Sequence, residues 1–434
     1  MPSFQEAIVL RRTLSKCLSK KNLNQLLTRT YITHSGKNSN TAAKDNKNNN
    51  NHHRNRKIAN SNVALISSGL LLLSYYYSSL DNLVSLDTVK SIRQFSSSSM
   101  NEKEQGKDSI LLLSDNEVNT KLRNLQESIS VNRGNGILRY DTSQLPSNHP
   151  IEDNHVEQII TIPRKTLNMD SKPAPDKILV TTPTASVDDD DLYFFGIFDG
   201  HSGPFTSAKL TSELVKYVAA QLNNLYEGSS DAINFSDKLE IAIKNGFIQL
   251  DHDIVNGSLS NLIRDPTKEN MLKSLPAISG SCALLSVYNS IDSTLKVAVT
   301  GDSRALICKK EADGDWTVKS LSTDQTGDNQ QEVERIKKEH PDEPNVIRNG
   351  RVLGSLQPSR AFGDYRYKVK EIDGKSLSEL PEHVKIYFRK EPRFFLTPPY
   401  VTARPENTTS KVDPESKFMV LASDGLFELY LMKK

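Results

Sequence analysis

Cysteine is almost absent from this chain. Cys17, Cys282 and Cys308 are the only three in 434 residues, and no two share a Cys-x-x-Cys spacing. Cys282 and Cys308 lie in apolar, strand-like stretches and read as buried free thiols rather than as a disulfide or a zinc site. Also missing are a G-x-x-x-x-G-K-S/T loop, an H-E-x-x-H pair and a G-x-S-x-G elbow. Nucleotide-loop, zinc-protease and serine-esterase chemistry therefore lack their signatures. No apolar core follows the N-terminus, so a secretory signal is excluded. A large charge of one sign is lacking too, since the formal net charge is +2. The basic excess sits at the front: residues 1–57 are rich in Lys and Arg and hold only two acids, Glu6 and Asp45. The remainder is mildly acidic, which argues against a nucleic-acid partner. No internal repeat is apparent.

What is present at the front reads as targeting. In residues 1–34, Arg11, Arg12, Lys16, Lys20, Lys21 and Arg29 stand among Leu, Ser and Thr. This is the composition of a mitochondrial transit peptide, with an ordinary basic amphipathic helix as the alternative. Residues 35–57 are polar and Asn-rich and read as a disordered spacer. Residues 58–80 carry no charge, suit one bilayer crossing, and place Tyr75, Tyr76 and Tyr77 where an aromatic belt would sit. A buried helix or an uncleaved part of the targeting signal are the alternatives. Arg54, Arg56 and Lys57 precede the stretch and Asp81 follows it, so the expected orientation puts the rest of the chain in the intermembrane space. Residues 81–130 are Ser-rich and charged, as expected of a linker. The folded domain is expected over 131–434.

Within that domain, Tyr193–Phe198 is a continuous apolar run, the pattern of a strand buried on both faces. It ends in Asp199-Gly200-His201, where glycine lets the backbone turn close to whatever Asp199 holds. Leu210, Leu214, Val215, Val218 and Leu222 share one face of a helix over 207–222. Ser236-Asp237 is expected to cap a second helix, carrying Leu239, Ile243, Phe247 and Leu250. Residues 281–288 and 295–300 read as paired strands, and 330–339 as a short polar helix stopped by Pro341. Strands and helices do not alternate regularly, which predicts an α+β layered domain rather than a doubly wound parallel sheet.

Three expected strands end in acids: Asp199, Asp302 after Val297–Gly301, and Asp424 after Phe418–Ser423. Glu152-Asp153 offers a fourth acidic site. In one core these acids can converge at one rim. Clustered carboxylates repel one another and resist ionisation, and divalent cations remove that penalty. Oxygen-only ligands suit Mg²⁺ or Mn²⁺ rather than zinc or copper. Two such ions can polarise a phosphoryl group and activate water.

The motifs Pro150-Ile151-Glu152-Asp153, Phe198-Asp199-Gly200-His201-Ser202-Gly203, Ser279-Gly280-Ser281-Cys282-Ala283, Gly301-Asp302-Ser303-Arg304, Pro358-Ser359-Arg360-Ala361-Phe362-Gly363-Asp364 and Ala422-Ser423-Asp424-Gly425-Leu426-Phe427-Glu428 follow one another in this order. The set resembles the metal-dependent protein phosphatases of the 2C type, over about residues 131–430. Gln144–Asp153 looks most like the mitochondrial pyruvate dehydrogenase phosphatase branch. The resemblance implies a central sandwich of two antiparallel sheets flanked by helices. It implies that Asp199 bridges two metals, that the Gly200 carbonyl and Glu152 serve one of them, and that Asp424 serves the other. It further implies a third, weaker metal at Asp302 and Glu428, where the family has Asp in place of Glu428. His201 matches a proposed general acid for the leaving seryl or threonyl oxygen; the alternative is that it only orients Asp199. Other members hold the substrate phosphate with an arginine four residues before the Glu. Here that position is Asn148, so phosphate binding leans more on the metals.

The family continues to a further Asp-Asn pair, whereas this sequence stops at Lys434. The expectation is a domain incomplete at its C-terminus, short of one metal ligand, with weak metal binding and an open sheet edge. The expected function is a mitochondrial Mg²⁺/Mn²⁺-dependent serine/threonine protein phosphatase, in which metal-activated water attacks the phosphoryl group. Its implied partner is the phosphorylated α subunit of pyruvate dehydrogenase in the matrix, at odds with an intermembrane-space orientation. The alternative is a non-catalytic phosphoprotein-binding or membrane-anchored scaffold.

Overall fold

The structure, a computed structural model, describes residues 113–131, 133, 136–163, 189–227, 234–376 and 379–428. The chain divides into two units, Met1–Leu113 and Ser114–Lys434. The expected transit peptide, spacer and membrane span all lie outside the described residues. Among the described residues, no helix is long and apolar enough to cross a membrane.

The second unit starts earlier than the expected linker allows. Ser114-Asp115-Asn116-Glu117 is a capping box: the Glu117 N–H donates to Ser114 Oγ at 3.3 Å and the Ser114 N–H to Glu117 Oε2 at 2.7 Å. It opens helix α1 (Asp115–Arg123). Strands β1 (Gln126–Ser130) and β2 (Arg139–Ser143) then pair antiparallel. The linker expectation over 81–130 is thus corrected from residue 114 onward. Every residue of β1 is exposed, so it lacks the alternation by which a half-buried strand is read.

Strands β3 (Asn154–Pro163) and β4 (Asp189–Phe198) come next, followed by the short β5 (Gly200–His201). Two long helices, α2 (Phe205–Glu227) and α3 (Phe235–His252), lead through a π-helical turn at Asp253–Gly257 to α4 (Ser258–Arg264) and α5 (Lys268–Ile278). After β6 (Gly280–Ser281) come β7 (Ala283–Asn289), β8 (Thr294–Thr300), β9 (Arg304–Lys310) and β10 (Trp316–Ser320). Helix α6 (Gln330–Glu339) precedes the hairpin of β11 (Ile347–Arg348) and β12 (Arg351–Val352). Strand β13 (Phe362–Gly363) and the one-turn helix α7 (Tyr365–Lys368) follow. Then come the hairpin of β14 (Glu371–Ile372) and β15 (Lys375–Ser376), and helix α8 (Glu382–Lys385). The last elements are β16 (Glu406–Lys411), β17 (Ser416–Ala422) and α9 (Asp424–Phe427).

Five strands pair antiparallel in the order β16-β8-β7-β4-β3, and three in the order β10-β9-β17. One face of the five-stranded sheet, with Phe194, Phe198, Leu285 and Val287, packs on Leu210, Leu214 and Val218 of α2 and on Leu239, Ile243 and Phe247 of α3. Its other face, with Tyr193, Leu284, Val297 and Val299, packs on Ala305, Ile307, Met419 and Leu421 of the three-stranded sheet. This is the expected α+β sandwich, with period-two alternation sending each strand's residues to opposite layers. Trp316, Val318 and Phe418 of the three-stranded sheet are exposed, and the rings of Trp316 and Phe418 lie 5.6 Å apart.

Two local readings shift. The second helix is capped not by Ser236-Asp237 but by Asn234, whose Oδ1 accepts from the Asp237 N–H at 2.9 Å. Strand β4 starts at Asp189, ahead of the apolar run. Its Asp191 is tolerated in the interior because Arg133 forks onto both carboxylate oxygens, at 2.8 Å each.

The helix expected to be polar hides a charge. Glu332 of α6 is only 4% exposed. Arg360 reaches its two oxygens at 2.6 and 3.0 Å, Arg335 approaches to 2.8 Å and Ser359 Oγ donates at 2.6 Å. Burial alone would raise this carboxyl; the guanidiniums and the hydroxyl reverse it and hold its pKa at about 2. The folded value lies below the unfolded one, so the stabilisation is full above the usual 4.5 and is lost as pH falls from there towards 2. Glu332→Gln is expected to lose about 3–5 kcal/mol at neutral pH, measured by urea unfolding. It should also flatten the acid limb of stability that the wild-type chain shows over that window.

Candidate metal centre

The topology explains why the strand-end acids meet. Strands β4 and β8 are both antiparallel to β7, so they run the same way and end at the same rim. Strand β9 starts just past the end of β8, now in the other sheet. Strand β17 runs antiparallel to β9 with Ala422 opposite Arg304, so it ends where β9 begins. Asp199, Asp302 and Asp424 therefore converge, each offering an oxygen within 4.8 Å of the others. Arg304 braces this corner, pairing with Asp324 at 2.5 Å and lying 4.8 Å from the Phe427 ring centroid in α9.

These carboxylates interact strongly. Burial pushes Asp199 up, and Asp153, Asp424 and Asp302 push it further, to about 9. Asp302 is raised to about 6 by burial and Asp424, although the Cys282 thiol, 3.1 Å away, donates to it and eases the shift. Asp153 is raised by burial and by Asp424, against a 3.0 Å hydrogen bond from Ser423 Oγ and one from the Gly200 backbone.

The structure does not bring Glu152 or Glu428 into the three-carboxylate group. Glu152 Oε1 accepts the Gly203 N–H at 2.8 Å, and its backbone carbonyl accepts from Ser207 Oγ. Glu428 is exposed and its N–H caps α9 on the Asp424 carbonyl at 2.8 Å. Gly200 is required for space rather than for an unusual turn: a Cβ there would stand 2.2 Å from the Glu152 carbonyl oxygen.

His201 is not bonded to Asp199. Its Nε2 meets Asp364 Oδ2 at 2.7 Å, which leaves Nδ1 free among the described residues. A small sheet makes this pair. Strand β6 holds β5 on one side and β13 on the other, setting both His201 and Gly363 opposite Gly280. Any Cβ at Gly280 would fall 2.1 Å from His201 Nε2 and 2.4 Å from Asp364 Oδ2. Burial disfavours the imidazolium, but Asp364, with Asp302 and Glu152 behind it, outweighs burial and raises the His201 pKa. Asp364 had no role in the sequence reading. The signal was there, since it too is an acid ending a strand, but that strand is two residues long. A cavity of about 270 Å³ opens over Asp199, His201, Asp302, Asp364 and Asp424.

A two-sheet sandwich with convergent carboxylates at one rim, a group that could hold a metal ion, and a histidine–carboxylate pair beside them is the arrangement this fold presents. The sequence pattern described as Protein phosphatase 2C matches residues 170–433, and the chain belongs to that family. It is 54% identical over 366 residues to the Saccharomyces cerevisiae protein named pyruvate dehydrogenase (acetyl-transferring) phosphatase 1, mitochondrial, covering 80% of this chain and 61% of that one. It is 39% identical over 317 residues to a protein phosphatase 2C homolog of Schizosaccharomyces pombe, covering 72% of this chain and 64% of that one. To the mitochondrial pyruvate dehydrogenase phosphatase 1 of Bos taurus it is 30% identical over 346 residues, covering 67% of this chain and 58% of that one. The chain thus spans about three fifths of the length of these relatives.

Because Asp364 is what raises His201, Asp364→Asn should move the imidazole titration to lower pH. Gly280→Ala, which separates the pair, should do the same. Both shifts can be read by NMR on ¹³C-labelled histidine, and an unmoved midpoint would refute the coupling.

Proposed function

We propose that this protein is a mitochondrial Mg²⁺- or Mn²⁺-dependent phosphoserine/phosphothreonine protein phosphatase acting on the phosphorylated α subunit of pyruvate dehydrogenase. The observation that carries the reading is the convergence of Asp199, Asp302 and Asp424 beside the His201–Asp364 pair, in a chain of the 2C family. The substrate and the mitochondrial location rest on the names of the relatives, among them the yeast protein at 54% identity. The uncharged stretch 58–80 is the sole basis for placing the protein at the inner membrane.

The donor set fits hard divalent cations. Burial, and then repulsion from Asp153, Asp424 and Asp302, push Asp199 up to about 9, and oxygen-liganded cations remove that penalty. Asp199 and Asp424, with the Gly200 carbonyl, would hold two ions, with Glu152 acting through water. Asp302 and Glu428 would hold the weaker third. When bound, the ions supply positive charge to the phosphoryl oxygens and make water more acidic. The chain's own residues do the rest. Asp364 fixes the His201 ring and favours its protonated form, and the free Nδ1 gives its proton to the leaving seryl or threonyl oxygen. Glu152 holds the loop after His201 through the Gly203 N–H, which fixes the ring's approach.

With Mn²⁺, the full chain is expected to release phosphate from the phosphorylated α subunit, and chelation should abolish the release. Asp199→Asn should lower kcat by about 10³-fold or more, since it removes the shared ligand of the cluster. Binding of the phosphoprotein without turnover at saturating Mn²⁺ would overturn the enzyme reading in favour of a phosphoprotein-binding scaffold.

The role of His201 has its own check. His201→Ala should cost about 10²–10⁴-fold on a phosphoseryl peptide. It should cost far less on p-nitrophenyl phosphate, whose leaving oxygen needs no proton. Equal losses on both substrates would assign His201 to orienting the site.

A further inference from the structure

Opposite the acids, the cavity wall is cationic: Arg351, Arg366 and Arg389 line it. Arg351 and Arg389 are exposed, Arg366 is half-buried like Asp199 and Asp424, and Asp302 is buried, so Arg351 and Arg389 stand at the mouth and Asp302 at the floor. Neither Arg366 nor Arg389 has an ion-pair partner among the described residues, and Arg366 Nε is buried without any hydrogen bond. Their placement is built. Arg366 lies on α7, two residues after the Asp364 that holds His201. Arg389 is drawn to the same place because Tyr365 of α7 donates its hydroxyl to the Arg389 carbonyl at 3.1 Å, and Tyr365 packs edge-on against Phe388 at 5.2 Å.

The neighbouring hairpin adds to this charge. Arg348 and Arg351 face each other across β11 and β12, joined by a tight turn with Asn349 at φ 52° and Gly350 at φ 69°. Like charges directly opposite each other in a hairpin are destabilising. Among the described residues neither arginine forms an ion pair: Arg348 lies over the Phe394 ring at 5.4 Å, and Arg351 donates to the Ser355 carbonyl and to Gln357 Oε1. An unneutralised cationic rim of this kind costs stability unless an anion sits on it. The floor of the cavity cannot supply that anion, because its carboxylates are already committed to one another and to the ions they would hold.

We infer that Arg366 and Arg389 bind carboxylate side chains flanking the phosphorylated residue, so that this protein selects phosphopeptides of acidic sequence. The inference rests on the phosphatase reading for the position of the phosphoryl group at the floor. Helix α7, which carries Arg366, begins directly after Asp364, the partner of His201, so Arg366 stands beside the side of the floor where the leaving oxygen would be protonated. Guanidinium forks match carboxylates and stay charged at any working pH.

The test uses the full chain with Mn²⁺ and two phosphoseryl peptides that differ only in carrying Asp or Asn on either side of the phosphoserine. The wild-type chain is expected to prefer the acidic peptide in kcat/KM, with the preference shrinking as ionic strength rises. Arg366→Ala and Arg389→Ala should each lower the acidic-over-neutral ratio by about two- to fivefold, the size of one partly exposed charge pair. Arg366→Glu should turn the preference towards a peptide with Lys flanks, a gain that a misfolded variant cannot give. Binding of the same peptides with a non-hydrolysable phosphonate, followed by fluorescence anisotropy, reads the preference without turnover. Anisotropy preference without hydrolysis would sink the phosphatase reading and leave this one standing. Hydrolysis with no acidic preference, or an equal loss on both peptides in the arginine variants, would overturn the inference and assign the arginines to the phosphate itself.

Discussion

The mutual repulsion of buried carboxylates at the joint between the two sheets is the constraint on which this structure turns. No lysine or arginine pairs with Asp199, Asp302 or Asp424 among the described residues, and burial adds to the repulsion between them. An isolated cluster of this kind disfavours its own ionised state. The sandwich tolerates it because each acid is delivered by a strand whose apolar residues are held in a packed layer, so the carboxylates cannot relax apart. The hydrophobic cores on both faces of the five-stranded sheet, one against the helices and one against the second sheet, supply that rigidity.

The second requirement is that the histidine and its carboxylate stay in register with the acids. A chain of polar contacts does this. Lys368 donates to both oxygens of Asp251 at 2.7 Å and to the Ala361 carbonyl, while Asp251 also accepts the Gly363 N–H at 2.9 Å. The Asp364 N–H donates to the Ser279 carbonyl at 2.9 Å. Helix α3, strand β13 and helix α7 are thereby tied at one point, and Asp364 sits there. A buried pair such as Asp251–Lys368 contributes little net stability, but it fixes one arrangement of the elements that carry it.

The same logic separates the two charged walls of the cavity. Glu332 and Glu339, with Arg335 and Arg360, form a closed ion cluster in which every charge is answered. The convergent acids and the arginines that line the cavity are open clusters of opposite sign. Packed proteins answer their buried charges internally unless a ligand does so, and this contrast within one domain marks where ligands belong.

The sequence by itself determined an α+β layered domain, the three strand-end acids and the apolar faces of the long helices, while the two-sheet sandwich was implied only by the family resemblance. The features read from the residues are local: a buried strand shows as an apolar run, and an amphipathic helix shows its period. Asp199, Asp302 and Asp424 were legible because each follows such a run directly. What only the tertiary structure decided involves elements too short or too exposed to leave a pattern. Strand β1 is exposed throughout and shows no alternation, and it falls in the Ser-rich, charged stretch that read as a linker. The pairing of Asp364 with His201 spans 163 residues and depends on two-residue strands meeting on β6. The arginine rim gathers a hairpin, a one-turn helix and a loop that share no sequence signal. Charges distant along the chain become a site only when packing sets their distances, and that information lies in the contacts between elements rather than in any one of them.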